Sequence, residues 1–261
     1  MTRSADAAAV DAALARAVVY RLLSIAFQPP TLARLKDAGA ADGFRGARVA
    51  LEHLDGLEGR SRLGPLAAQL KARAPSEEVA RSRYWHLFGH TVRGLICACE
   101  TEYGPDNGFH QPQQLADIAG YYLAFGLRPS AGAEVRADHI ACECEFMDFL
   151  SRKQAYLLDR PDEGPERQET LEATELAARS FLRDHVGRFG RAFAAQVTAG
   201  DEDGYFGALG RLLFQFVEGE CRRVGVASGP VDLALRPEAI DRTPMACGAS
   251  DELLQIQRRV R

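Results

Sequence analysis

The sequence contains no long apolar run and no excess of basic residues, and each absence excludes a class of function. No stretch approaches the roughly 20 consecutive apolar residues that a membrane-spanning helix needs, so we expect no stable membrane insertion. The formal net charge is −4, whereas a nucleic-acid-binding protein usually carries a basic surface, so we expect no nucleic-acid partner. The first residues include acidic side chains and lack the apolar segment of a secretory signal, which favours a cytoplasmic location.

Motifs of common enzymes are missing as well. The sequence has no Gly-x-x-x-x-Gly-Lys nucleotide loop and no nucleophile elbow. We therefore expect neither an enzyme nor a bound cofactor.

Cysteine spacing leaves a second hypothesis open. Six cysteines are present, and both close pairs are C-x-C rather than the C-x-x-C of common zinc or redox motifs. In a reducing compartment we expect thiols that pack as small apolar side chains. The alternative is a helical metal-binding or redox protein that uses Cys97, Cys99, Cys142 and Cys144. Against it, Cys142 and Cys144 lie about 200° apart around a regular helix and cannot both face one ion.

Apolar residues recur at helical spacing along most of the chain, and strand signals are almost absent. The prediction is an all-α, bundle-like single domain over residues 1–223, followed by an irregular tail over 224–261 that ends in a short helix. The Gly- and Pro-containing stretch 224–249 should be loosely docked. The predicted helices cover residues 7–27, 45–58, 63–73, 76–88, 112–126, 138–158, 165–186, 188–199, 202–223 and 250–259.

Residues that begin or end helices define the limits of two of these helices. Pro29 and Pro30 follow the first helix and cannot continue it. Ser76 followed by two glutamates is a helix-start signature, and Gly89 supplies the corresponding stop.

The stretch "ADHIACECEFMDFL" (137–150) places a carboxylate in an apolar helix face. Asp138 is a candidate N-cap, and Glu143 falls in the middle of the apolar arc, one turn from His139. A carboxylate there is costly unless it is paired or hydrogen-bonded. Either Glu143 is a satisfied structural residue, or the seam is partly open and faces a partner.

Several segments resemble, in order, the TorD/DmsD/NarJ family of molybdoenzyme chaperones. "ADHIACECEFMDFLSRKQAYLL" is similar to the family's Asp-His turn and the helix that follows, although Ala137 stands where the family usually has proline. The other similar segments are "VVYRLLSIAFQPP" (18–30), "SRYWHLFG" (82–89), "CETEYG" (99–104), "FLRDHVGRFGRAF" (181–193) and "GYFGALGRLLFQFVEGE" (204–220).

The resemblance implies a fold and a task. The fold is two helical parts joined by a hinge, here near 127–139, in a monomer or a domain-swapped homodimer. The task is to bind the apo catalytic subunit of a molybdopterin oxidoreductase of the dimethyl-sulfoxide-reductase superfamily, often through a twin-arginine leader peptide. Carboxylates and an apolar wall suit such a leader. The candidate binding residues are Asp138, His139, Glu143, Glu100, Tyr103, Leu87 and Phe88.

Overall fold

A computed structural model describes residues 2–37, 43–90, 94–105, 110–128, 134–160 and 164–237. Within these ranges the chain is helical and forms no β-sheet, which confirms the all-α prediction; its extended pairing there consists of two isolated bridges. None of the described helices is long and apolar enough to cross a membrane. The helices are α1 (Thr2–Ala26), α2 (Leu32–Leu35), α3 (Gly43–Glu58), α4 (Gly64–Ala72), α5 (Glu77–Phe88), α6 (His110–Ala124), α7 (Ile140–Asp159), α8 (Pro165–Phe181), α9 (Gly187–Gly200) and α10 (Tyr205–Val224).

The predicted first and last residues of α5 are confirmed to within one residue. The Ser76 hydroxyl accepts from the amide of Val79 at 3.4 Å, which satisfies one of the free donors of the first turn. Gly89 ends the helix with φ 71°, a left-handed value that favours glycine. The helix therefore ends at Phe88, whose side chain turns into the core.

One contiguous hydrophobic core connects the helices. Helix α1 packs chiefly on α7 and also on α3, while α9 packs on α10. Aromatic rings link these pairs: the ring of Phe27, just after α1, lies 5.2 Å from that of Phe193 on α9, in an edge-on arrangement. The apolar faces of α1 and α9, which are far apart in the chain, thus belong to the same core.

Helices α8 and α9 are continuous through one π-helical turn, Leu182–Val186, where the sequence predicts a break at 187. Gly187 closes this turn, and a Cβ there would lie 2.3 Å from the Leu182 carbonyl oxygen. The wider turn is therefore compatible with glycine at this position and with little else.

The end of the described chain is docked more firmly than we expected. Helix α10 ends where Gly225 turns with φ 67°. Residues 226–237 have no helix or strand, but they are hydrogen-bonded to the helical body and bury the side chain of Arg236. Three predicted features reach outside the described residues: the helix at 250–259, part of the loosely docked stretch 224–249, and part of the hinge at 127–139.

Glycine at the α9–α10 contact gives a direct test of this packing. A Cβ on Gly210 would lie 2.6 Å from Thr198 Oγ1 and 2.7 Å from the Ala194 carbonyl oxygen. We expect Gly210→Ala to lower the free energy of unfolding by about 1–3 kcal/mol, because the helices must move apart. Urea denaturation measures the change.

Gly120→Ala on α6 is the matched control. A Cβ there meets no atom within 4 Å, so the substitution should raise the free energy of unfolding by up to about 1 kcal/mol through helix propensity. Equal effects of the two substitutions would show that the α9–α10 distance is not set by Gly210.

Candidate functional site

The start of α7 meets a short 3-10 turn, Glu100–Glu102. This junction brings together the predicted site residues Glu100, Tyr103, Asp138, His139 and Glu143. The Glu100 amide donates to the Asp138 carbonyl at 2.8 Å, and the Ile140 amide donates to the Ala98 carbonyl at 2.9 Å. Cys99 and His139 form an antiparallel bridge between these bonds. Two segments about 40 residues apart in the chain are thereby fixed side by side.

Asp138 does not cap α7, contrary to the sequence prediction. Its carboxylate is fully buried and accepts from the Thr101 amide at 3.1 Å and the Thr101 hydroxyl at 2.7 Å. Arg136 Nε and Nη2 also donate to it, each at 2.9 Å. His139 is the N-cap instead, because its Nδ1 accepts from the Ala141 amide at 3.1 Å.

Glu100 is a buried, ionised carboxylate. Arg188 donates to its Oε1 through Nε at 2.9 Å and Nη2 at 2.7 Å, and His185 Nδ1 lies 2.9 Å from its Oε2. Burial alone would raise the pKa of Glu100, but the bonds to His185 and Arg188, together with the positive charge of Arg188, lower it below its ordinary value. The fork of Arg188 is what makes a charge tolerable here.

Glu143 is neutral. Its carboxyl is completely buried, and no donor among the described residues reaches either oxygen. Burial raises the pKa of Glu143 well above its ordinary value, and the adjacent charge of Glu100 raises it further. Once protonated, the Glu143 hydroxyl becomes a donor, for which the Glu100 carboxylate is the acceptor. The seam around Glu143 is therefore closed rather than partly open.

The other predicted site residues divide into interior and border positions. Leu87 and Tyr103 are fully buried, and the Tyr103 hydroxyl donates to the Cys97 carbonyl at 2.7 Å. Phe88 and His139 are also mostly buried, but both border an open pocket. Of the seven predicted residues, only these two line a described pocket.

This aromatic pocket has a volume of about 290 Å³. Trp85, which is half-buried, stacks on His90 with ring centres 4.4 Å apart. Burial lowers the pKa of His139 to about 4, and the charge of Arg136 lowers it too, so the His139 ring is neutral near pH 7. The pocket is lined by Pro29, Tyr84, Trp85, Phe88, Gly89, His90, Ala98, Cys99, Glu134, Val135, Arg136 and His139.

A second pocket, of about 610 Å³, lies on the other side of the segment 134–137, between α1 and α7. We call it the charged pocket, because its lining mixes arginines, acids and aromatic rings. Glu134 and Val135 line both pockets. Its lining residues are Arg21, Gln28, Arg34, Tyr122, Leu127, Arg128, Glu134, Val135, Ala137, Cys142, Glu145, Phe146, Asp148, Phe149 and Arg152.

The four cysteines of the metal hypothesis, all among the described residues, do not assemble into one site. Cys97 and Cys99 adjoin each other, whereas Cys142 lines the charged pocket and Cys144 is buried near Tyr20. Across the described ranges no group of three or more Cys, His, Asp or Glu side chains could hold a metal ion. The four-cysteine hypothesis therefore has no geometric support there.

Comparison with known proteins places the chain in a family. A family model described as nitrate reductase delta subunit matches residues 56–195, a range that contains every predicted site residue. The chain belongs to the nitrate reductase delta subunit family. This is the NarJ/TorD-type chaperone family that the sequence motifs indicate, so that prediction is confirmed.

A curated relative extends the match beyond this range. The perchlorate reductase assembly chaperone protein of Dechloromonas aromatica (strain RCB) is 28% identical over 222 residues, which cover 80% of this chain and 89% of that protein. No solved structure matches the chain.

Sequence reasoning missed the basic partners of the buried acids. Arg136 bonds to Asp138, and both His185 and Arg188 bond to Glu100. All three lie in or beside segments that resemble the family. The three-residue spacing of His185 and Arg188 places both on one helix face, which was the available signal.

The protonated state of Glu143 predicts an unusual pH dependence of stability. An unfolded glutamate ionises above about pH 4.3, whereas folded Glu143 keeps its proton, so rising pH favours the unfolded state. Glu143→Gln removes this term. The free energy of unfolding of the variant, relative to wild type, should therefore increase between about pH 5 and pH 8, by at most about 1.4 kcal/mol per pH unit.

Glu145→Gln is the control on the same helix, because Glu145 is exposed and lies 3.6 Å from Arg21. Urea denaturation at several pH values measures both variants. Parallel pH profiles for the two variants would mean that Glu143 is ionised in the folded protein.

Proposed function

We propose that this protein is a dedicated cytoplasmic chaperone for the apo catalytic subunit of a molybdopterin oxidoreductase. It holds that subunit, through its leader peptide, until the cofactor is inserted and export or assembly is safe. Family membership supports the assembly-chaperone role, and the relative named for perchlorate reductase assembly supports a reductase as the client. The observation that carries the leader-binding part is the open aromatic pocket beside the Asp138–His139 turn.

The pocket suits an apolar side chain of a bound segment. Tyr84, Trp85 and Phe88 project from one face of α5, and the Tyr84 and Trp85 rings pack edge-on at 5.1 Å. Such a rigid aromatic wall removes water from an inserted side chain at little cost in conformational entropy.

Residues 134–136 border the aromatic pocket, and we call them the rim. Basic residues of the leader would meet this rim rather than the buried acids. Glu134 lies between the two pockets and pairs with Arg34 at 2.6 Å, with both side chains partly exposed. An exposed pair of this kind contributes little to stability. An incoming guanidinium can therefore replace Arg34 at Glu134 at small cost, and gains a bidentate contact.

The segment 127–139 is the proposed hinge between two helical parts. The rim lies in its described residues 134–139. Arg136 donates to Asp138 and to Glu102 Oε1, the latter at 3.0 Å, so the rim is tied to the buried core of the site. Binding at the rim and the position of the hinge are thus mechanically connected. Exchange of helices between two copies through this hinge would give the domain-swapped dimer.

The test begins by co-purifying the tagged chain from its native cells and identifying the bound protein by mass spectrometry. The expected partner is a molybdopterin oxidoreductase catalytic subunit. A synthetic peptide of that subunit's N-terminal leader is then titrated calorimetrically. We expect Trp85→Ala to weaken binding by about tenfold, or about 1.4 kcal/mol, with little loss of stability because Trp85 is only half-buried.

Tyr156→Ala is the matched control, since Tyr156 is an exposed aromatic residue on α7 that lines neither pocket. It should bind the leader with wild-type affinity. Unchanged affinity of Trp85→Ala would remove the aromatic pocket from the mechanism.

A further inference from the structure

The described chain after α10 crosses α9 and ends against the 3-10 turn, and we call residues 226–237 the strap. At its near end the Gly229 amide donates to the Gly187 carbonyl at 2.8 Å. Arg191 Nη1 donates there to Ser228 Oγ at 2.9 Å and to the Gly229 carbonyl at 3.1 Å. Main-chain contacts and one arginine thus hold this end.

The far end of the strap is paired as a short antiparallel ladder. The Gly104 amide donates to the Ala234 carbonyl at 2.9 Å, and the Arg236 amide donates to the Glu102 carbonyl at 2.7 Å. Tyr103 and Leu235 form the bridge between these bonds. The receiving edge supplies main-chain groups, which pair with any extended peptide regardless of its sequence.

Arg236 gives this pairing its selectivity. Its Nε donates to the Thr101 carbonyl at 2.8 Å, its Nη1 to the Pro105 carbonyl at 2.6 Å, and its Nη2 to Gln114 Oε1 at 2.8 Å. Three oxygens arranged around a planar guanidinium match the fixed fork of arginine and not the ammonium of lysine.

Arg236 is also the one buried residue of the strap; every other strap residue is half-buried or exposed. The strap therefore contributes no fully buried apolar side chain to the core. A segment held this way opens at a lower free energy than the whole fold.

We propose that residues 101–105 together with Gln114 form a receptor for an extended, arginine-bearing peptide, which the chain's own strap fills in the free protein. In the complex, an arginine-bearing stretch of the client's leader replaces the strap. This identification of the occupant rests on the function proposed above. The receptor adjoins the aromatic pocket, because Arg136 lines that pocket and bonds Glu102 at 3.0 Å. A single leader can therefore reach both.

The strap competes with an added peptide at the high effective concentration of a tethered group. Weakening the strap should therefore raise the affinity for a peptide that carries its own arginine. The probe is a fluorescent synthetic peptide of the strap sequence, VASGPVDLALRP, added to the full-length chain and followed by anisotropy.

We expect the Arg236→Ala chain to bind this peptide about tenfold more tightly than wild type does. A peptide with the arginine replaced by lysine should bind neither chain measurably. Arg211→Ala is the matched control: Arg211 also donates to a main-chain carbonyl, that of Glu202 at 3.0 Å, but lies outside the receptor. It should bind the probe as weakly as wild type.

Arg191→Ala keeps the test decisive if Arg236→Ala fails to fold, because it loosens the other end of the strap and leaves the receptor intact. It too should bind the probe more tightly than wild type. Equal affinity of wild type and a folded strap variant for the probe, or equal binding of the lysine peptide, would overturn the receptor.

A competition measurement with the client's leader peptide separates this inference from the proposed function. The leader peptide identified by co-purification should displace the probe from Arg236→Ala, and a form with its arginines changed to lysine should not. If the leader binds in a Trp85-dependent manner but leaves the probe bound, the client is not the receptor's occupant while the proposed function stands. If the leader binds neither site, both proposals fail.

Discussion

The carboxylate of Asp138 adds side-chain bonds to a junction of two segments that are distant in the chain and that main-chain bonds also join. Its buried oxygens accept from the amide and hydroxyl of Thr101 and from the guanidinium of Arg136, which is itself half-buried. A buried carboxylate this well bonded is compatible with folding, whereas one missing a partner would leave an uncompensated charge. The position of the 3-10 turn, the start of α7 and the lining of the aromatic pocket all follow from this one arrangement.

Helix type and most helix limits follow from local chemistry, which is why the sequence predicts them. Ser76 and Gly89 act within their own turns, and the apolar spacing of α1 needs no knowledge of its partner. Asp138 is different. A carboxylate just before a helix can cap it or bond to a distant amide, and the choice depends on Thr101, which is 37 residues away.

The same limit explains why the sequence predicts a binding role for the acidic residues. Glu100, Asp138 and Glu143 are close in the fold, and three acids near an apolar wall are a reasonable receptor for guanidinium. The structure supplies the bonding partners of Asp138 and Glu100 internally, from Arg136, His185 and Arg188. Such pairs join residues far apart in the chain, and no periodicity reports them. In the structure the acids of the family motif lie inside the junction, and the open surface lies beside them.

Trp85 is the single tryptophan of the chain, and it lies in the wall of the aromatic pocket against His90. All indole emission from this protein therefore originates at that wall. A segment entering the pocket must exclude water from the indole or part it from the imidazole, and either event alters the wavelength or intensity of the emitted light. The molecule thus carries a built-in optical reporter, which can follow occupancy in rapid mixing without any attached dye.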